Sequence, residues 1–399
     1  MTTATATATV SLPRVLGHLP GPTEGPLLIA IGGMHGNEPA GVRALRRVLG
    51  ALAPRRQQLR GTLLALSGNR PALGRGVRYI EQDLNRIWRR PRLEALRAGA
   101  AAASCDEEEM CALDLELRAA IDSAGDGHVI VLDLHTTSAD NPVFSVLNDT
   151  LPNRALAAAL PVPTVLGLEE ELSGTLLNYL SRVRNIQSLG FESGQHDDPQ
   201  AVDLAVAAIW LALAESGVIH GDQEWPEVAA ARRALEHAAS GLPRFVDVLA
   251  RHPIEPADGF RMCPGFCGFQ PVRKGDVLAD DIHGPVQAPC EGMLLMPLYQ
   301  GQGDDGFFIV RPVRPIWLRL SAALRRSGLV RRMHWLPGIH RHPTLPDSLV
   351  VDRRVARVLA VELFHLLGFS RRGPVDGRYV TMRRRALDRP FDARSESNG

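Results

Sequence analysis

An apolar run, Pro26-Leu27-Leu28-Ile29-Ala30-Ile31, breaks abruptly into Gly32-Gly33-Met34-His35-Gly36-Asn37-Glu38-Pro39-Ala40-Gly41. That junction narrows the choice of fold sharply. A strand without polar alternation is buried on both faces, as in sheets covered by helices on each side. The glycines let the backbone bend where the strand ends, and a helix is expected to begin near Val42. His35 and Glu38 then sit at the C-terminal end of a buried strand, where open α/β sheets place their binding crevices. An imidazole and a carboxylate three residues apart on such a turn can converge on one zinc ion. Alone the pair says little, because His-x-x-Glu arises by chance in many chains.

A third ligand is available. His128-Val129-Ile130-Val131-Leu132-Asp133-Leu134-His135-Thr136-Thr137 reads as another buried strand with polar groups arriving at its C-terminal end. His135 is expected at the same sheet edge as His35. Two His and one Glu leave a fourth tetrahedral position for water, the pattern of a catalytic zinc site. Asp133 is placed to orient a ligand imidazole, although strand alternation puts it on the face of His135. Each histidine taken singly is better read as a turn cap or a satisfied core residue. The two strand ends together favour the metal.

Charges follow from two further segments. Leu63-Leu64-Ala65-Leu66-Ser67 runs into a polar loop that carries Arg78-Tyr79-Ile80-Glu81-Gln82-Asp83-Leu84-Asn85-Arg86. Arg78 can polarise a scissile carbonyl, while Asn85 and Arg86 can clamp a substrate carboxylate. Without the zinc motifs, a solvated Arg-rich loop would be the better reading. Gly190-Phe191-Glu192-Ser193-Gly194-Gln195-His196 follows an expected short strand over 185–189. It precedes a helix with Asp198 as N-cap, Pro199 in the first turn and Gly217 at its end. A glutamate there can take a proton from zinc-bound water and pass it to a leaving nitrogen.

The combined order of these motifs resembles the succinylglutamate desuccinylase/aspartoacylase family, a branch of the zinc carboxypeptidase-like hydrolases, over roughly residues 10–320. The resemblance implies one zinc ion per chain held by His35, Glu38 and His135, with Glu192 as general base and acid. It implies that Arg78 contacts the carbonyl oxygen and that Asn85 and Arg86 bind the substrate α-carboxylate. Members similar to aspartoacylase hold the acyl carboxylate with an arginine ten residues before the base, a spacing that Arg182 meets, with Arg184 close by. A substrate-contacting tyrosine of the family's C-terminal domain corresponds to Tyr299. The 97 residues from Glu38 to His135 suit the compact desuccinylase pattern.

Composition suits a soluble enzyme: 399 residues, 45% hydrophobic, with a formal charge of +1. Strands alternating with helices from about Arg14 to Gly217 predict an α/β fold, a mixed, mostly parallel sheet flanked by helices. A helical connector is expected over 226–250. Gly, Pro and Val then crowd 259–315, the texture of a smaller C-terminal β domain, which in similar proteins lies over the active-site mouth. The expected domains are a zinc-hydrolase domain over 1–250, the β domain over 251–320, and an Arg-rich extension over 321–399 with two helical stretches and a frayed end beyond 389.

From Arg311 onward 19 arginines face 7 acidic side chains. No aromatic interleaving accompanies them, so no nucleic acid is expected as a partner. Five cysteines without a Cys-x-x-Cys pair read as reduced thiols. The Thr/Ala-rich start lacks signal-peptide character, and no run is long enough for a membrane span, so the cytoplasm is the expected location. The reading is thus a zinc-dependent amidohydrolase acting on a small anionic N-acyl amino acid. Alternatives are a carboxypeptidase- or esterase-type zinc hydrolase, or a non-catalytic binding protein that kept the fold. The oligomeric state stays open, a homo-oligomer included.

Overall fold

A tight turn brings the chain into its central strand: β1 (Val15–Pro20) leads into β2 (Thr23–Gly32), which carries the first apolar run. The computed structural model describes residues 12–181, 183, 186–220, 224–327, 338–341, 348–352, 369–376 and 379–384. Side chains of β2 alternate between two cores: Leu28 and Ala30 enter one, and Leu27, Ile29 and Ile31 the other. Each fully buried Leu or Ile contributes about 1.5–3 kcal/mol, which is why the run tolerates no polar residue.

β2 lies between β3 (Arg60–Ser67) and β4 (Val129–Thr137), parallel to both. Beyond β4 come β5 (Phe144–Val146), β6 (Thr164–Leu166), β7 (Ile186–Gln195) and β8 (Phe245–Pro253) in sequence, but β7 is the one beside β4 and parallel to it. The sheet order β1-β3-β2-β4-β7-β5-β6-β8 continues through Asp305–Pro312, Gly292–Leu295 and Pro271–Val272 to eleven strands. From β2 the chain steps outward to β3 and then crosses back to β4. That reversal opens the crevice between the ends of β2 and β4.

Helices cover both faces. α1 (Ala40–Leu52) and the helix Gln200–Ser216 pack on one side, and Cys105–Ala124 on the other. The predicted α/β class, with its mixed sheet and additional C-terminal β structure, is the fold observed. Two local expectations need correction. The helix after Pro226 ends at Ala238, and β8 takes the last residues of the expected connector, from Phe245; Gly241 adopts φ +79 and Pro243 follows, so the helix cannot continue. The segment after residue 320, expected to mix two helical stretches with loops, begins in the helix Pro315–Arg326 and carries a four-stranded antiparallel sheet among its described residues where only loops were expected beside the helices. Residues 353–368 of that extension and the frayed end expected beyond 389 lie outside the described residues. No helix among the described residues is long and apolar enough to cross a membrane.

Candidate active site

Sheet register brings the distant motifs together. Gly32, the last residue of β2, pairs with Leu134 of β4, and His135 pairs with Glu192 of β7. His35 follows on the turn, where Gly33 takes φ +76. Gly36 approaches the Arg70–Arg75 helix so closely that a Cβ there would lie 2.0 Å from the Ala72 carbonyl carbon. The Gly36 amide also donates to the Arg78 carbonyl (3.0 Å), which ties the arginine loop to the turn.

Donor atoms of His35, Glu38 and His135 all lie within 4.8 Å of one another, and all three residues are buried. His35 Nδ1 is 2.7 Å from Glu38 Oε1, and His135 Nδ1 is 3.0 Å from Glu38 Oε2. Their outer nitrogens are held by carboxylates: His35 Nε2 by Asp83 Oδ1 at 3.1 Å, and His135 Nε2 by Asp133 Oδ2 at 3.0 Å. This fixes which nitrogen of each ring faces the cluster, the arrangement that orients metal-ligating imidazoles. Two imidazoles and a carboxylate with outer carboxylate partners suit zinc, so the donor set fits the metal implied by the sequence.

Electrostatics agree with the geometry. Burial alone would raise the Glu38 carboxyl, but the charges of His35 and His135 outweigh it and hold it well below the usual carboxylate range. Burial would lower His135, yet Asp133 and Glu38 hold its imidazolium well above the ordinary histidine value. Asp83 is held well below its ordinary value: Arg78 and His35 outweigh its burial. Glu192 behaves oppositely. Burial pushes its carboxyl up to about 8, and its Oε2 is buried without a hydrogen-bond partner. A carboxyl tuned toward neutrality beside a metal-type cluster has the properties of a general base.

A cavity of about 140 Å³ opens onto these groups. That is room for several waters, and so for a small substrate. Arg78, Asn85 and Arg86 line it with Glu192 and the three cluster residues. Arg78 Nε donates to Asp83 Oδ2 (3.0 Å), and Arg78 Nη1 lies 3.5 Å from Glu38 Oε1.

Three predictions fare differently. Glu192 lies inside β7, not after a strand ending at residue 189, because β7 pairs on past Gly190 with both β4 and β5. Tyr299 is not brought into the cavity: it is 39% exposed, and its hydroxyl donates to the Cys263 carbonyl (2.7 Å) and accepts from the Phe266 amide (3.0 Å). Arg182 and its neighbour Arg184 lie outside the described residues.

Sequence reasoning assigns no role to Asp83, His196, Gln300 or Asp305. Asp83 lies within the arginine-loop motif, but it caps a single 3₁₀ turn and leaves no periodic signal. His196 Nδ1 is 2.7 Å from Thr136 Oγ1, and its Nε2 is 3.0 Å from Gln300 Oε1, on a loop reached only through the C-terminal strands. A second acidic cluster, Glu81, Cys105 and Asp106, is structural: Asp106 accepts from the amides of Ile80, Glu81 and Gln82 and from Asn69 Nδ2.

Comparison with known proteins adds independent findings. Residues 24–209 match the model of the succinylglutamate desuccinylase/aspartoacylase catalytic domain. The chain is 34% identical over 267 residues to a succinylglutamate desuccinylase of Pseudomonas fluorescens, covering 64% of this chain and 73% of that protein. A counterpart from Pseudomonas syringae pv. tomato is 33% identical over 265 residues, with the same two shares, 64% and 73%. Among solved structures, the succinylglutamate desuccinylase of Vibrio cholerae superposes with TM-score 0.52 at 19% identity, over 73% of this chain and 82% of that one. A succinylglutamate desuccinylase/aspartoacylase from Rhodobacter sphaeroides gives TM-score 0.52 at 22% identity, over 74% and 88%. At these identities the two structures establish a shared fold.

Proposed function

Because the chain belongs to the succinylglutamate desuccinylase/aspartoacylase family of hydrolases, we propose that it hydrolyses the amide bond of a small N-acyl amino acid or related N-acyl amine, with zinc as cofactor. One observation carries this reading: His35, Glu38 and His135 offer their donor atoms within 4.8 Å of one another, and His135 pairs with Glu192 across β4 and β7. His35, Glu38 and His135 would hold the zinc. When bound there, zinc lowers the pKa of a water and polarises a carbonyl oxygen.

The remaining steps belong to this chain's own side chains. Glu192 Oε2, buried and without a partner, accepts a proton from the attacking water and later returns it to the leaving nitrogen. Arg78, already oriented by Asp83, lies against the cluster, where its guanidinium can stabilise negative charge developing on the carbonyl oxygen. Asp83 and Asp133 keep the outer nitrogens of the two histidines occupied, so the inner ones stay directed at the cluster where zinc would be held. Residues 296–298 and 303–305 line the same cavity, whose volume of about 140 Å³ suits a small substrate.

A panel of N-acyl amino acids, N-acyl amines, C-terminal peptides and simple esters, read by the amine, peptide or alcohol released, tests this on the zinc-loaded protein. Turnover confined to the N-acyl amides, falling roughly 10²–10⁴-fold in Glu192→Gln, is expected. Preference for peptides or esters would redirect the assignment within zinc hydrolases. Bound zinc with no turnover anywhere would favour a binding protein.

A further inference from the structure

Arg86, read from the sequence as a grip for a substrate carboxylate, is engaged from within the protein. Its Nη1 donates to the Asn85 carbonyl at 3.0 Å and its Nη2 to Asp305 Oδ2 at 2.8 Å. Its remaining nitrogen, Nε, is buried without a partner and out of reach of solvent. Asn85, the other half of the expected clamp, is held through its Oδ1, which accepts from the Leu176 amide at 2.9 Å and leaves Nδ2 as the donor of that half.

Asp305 is itself held firmly. Its other oxygen accepts from Arg251 Nε at 2.5 Å, and Arg251 Nη1 donates to the Glu171 carbonyl at 2.7 Å. The residue opens the strand Asp305–Pro312 and pairs with Pro253 of β8, so its backbone is fixed by the sheet. Only 12% of the Asp305 side chain and 18% of the Arg86 side chain are exposed. Displacing Asp305 from Arg86 would therefore break a charge-assisted bond that little water can replace.

A substrate carboxylate at Arg86 would stand beside Asp305 and share one guanidinium with it, and two carboxylates so placed repel. The wider lining points the same way. Glu169, Asp304 and Asp305 line the cavity together with Arg86, so further carboxylates already share that part of the lining.

We propose that Asp305 is a specificity-determining residue that occupies the Arg86 half of the carboxylate clamp, so that the preferred amine half of the substrate carries no carboxylate beside the scissile amide. The class it selects is an acylated amine or acylated amino-acid amide in place of an acylated amino acid. This rests on the amide-hydrolase reading above and adds which amides are chosen.

Calorimetric titration of the zinc-loaded protein with matched amines tests it: glutamate against isoglutamine, and lysine against lysinamide. Wild type should bind each amide at least tenfold more tightly than its parent amino acid. Asp305→Asn, with Arg86 released, should cut that preference at least tenfold, chiefly by tightening the amino acids. Any other outcome overturns the proposal, including no measurable binding of the four probes. If Asp305→Asn fails to fold, the wild-type preference alone decides. Turnover assays keep the two readings apart. Hydrolysis with N-acyl amino acids favoured sinks only the role of Asp305, whereas no hydrolysis of either class sinks the hydrolase reading.

Discussion

Glu192 and the two outer carboxylates lead to separate measurements. In the folded protein without a cation, burial keeps Glu192 protonated up to about 8, whereas an unfolded chain loses that proton near about 4.3. Between those values the folded state holds the extra proton, so this residue makes stability fall as pH rises. Melting the metal-stripped protein at pH 5 and pH 8.5 should show a smaller loss of Tm in Glu192→Gln than in wild type; equal losses would contradict the assignment. Asp83→Asn and Asp133→Asn should each weaken zinc binding about 10–100-fold, as read by competition with a chelating dye, while leaving the fold intact by circular dichroism. Unchanged affinity in both would mean that the outer contacts do not orient the ligands. His35, Glu38, His135 and Glu192 are legible in the sequence because each sits at or near a strand end, where apolar runs point to the same sheet edge. Asp83 is not, since its partner His35 lies 48 positions away and nothing local marks the pairing.

Among elements, the turn between β2 and α1 is the part whose geometry the site depends on. A methyl group at Gly36 would enter the backbone of the Arg70–Arg75 helix, so Gly36→Ala should cost about 1–3 kcal/mol, as overpacking does, and should weaken zinc binding by shifting His35. Gly50, inside α1, has open space where a methyl group would project, with nothing within 4 Å; Gly50→Ala should stabilise by about 0.5–1 kcal/mol. Urea midpoints that move together in both variants would show that the turn has slack. The buried strands β2, β3 and β4 are readable from composition alone, because burial on both faces forces apolar runs. β7 exceeds the extent that its sequence suggests, and β8 begins where a helical connector was expected. β7 extends because β5 pairs along its far edge at Glu192, and β8 forms because it pairs with β6 and with Asp305–Pro312. Such partners are invisible to a local pattern.

In the molecule as a whole, the cavity is completed by chain more than a hundred residues beyond the catalytic strands. Met296 and Asp305 line it, Gln300 reaches both Asn37 Nδ2 (2.7 Å) and His196, and Gln302 accepts from the Arg78 amide at 3.1 Å. The candidate metal ligands and base are legible in the sequence, but the cavity around them is completed by the joining of early and late segments, which no spacing reveals. Clamping of the catalytic loops by those late residues predicts that Gln302→Ala raises KM for the best substrate several-fold more than it lowers kcat; the opposite split would place Gln302 in the chemistry. The most direct measurement is to strip the protein with a chelator, titrate zinc back, and follow hydrolysis of an N-acyl amide. Activity should vanish and return in full at one zinc per chain in wild type, and should not return in His35→Ala. Undiminished hydrolysis by the stripped protein, or recovery in His35→Ala equal to wild type, would contradict the account.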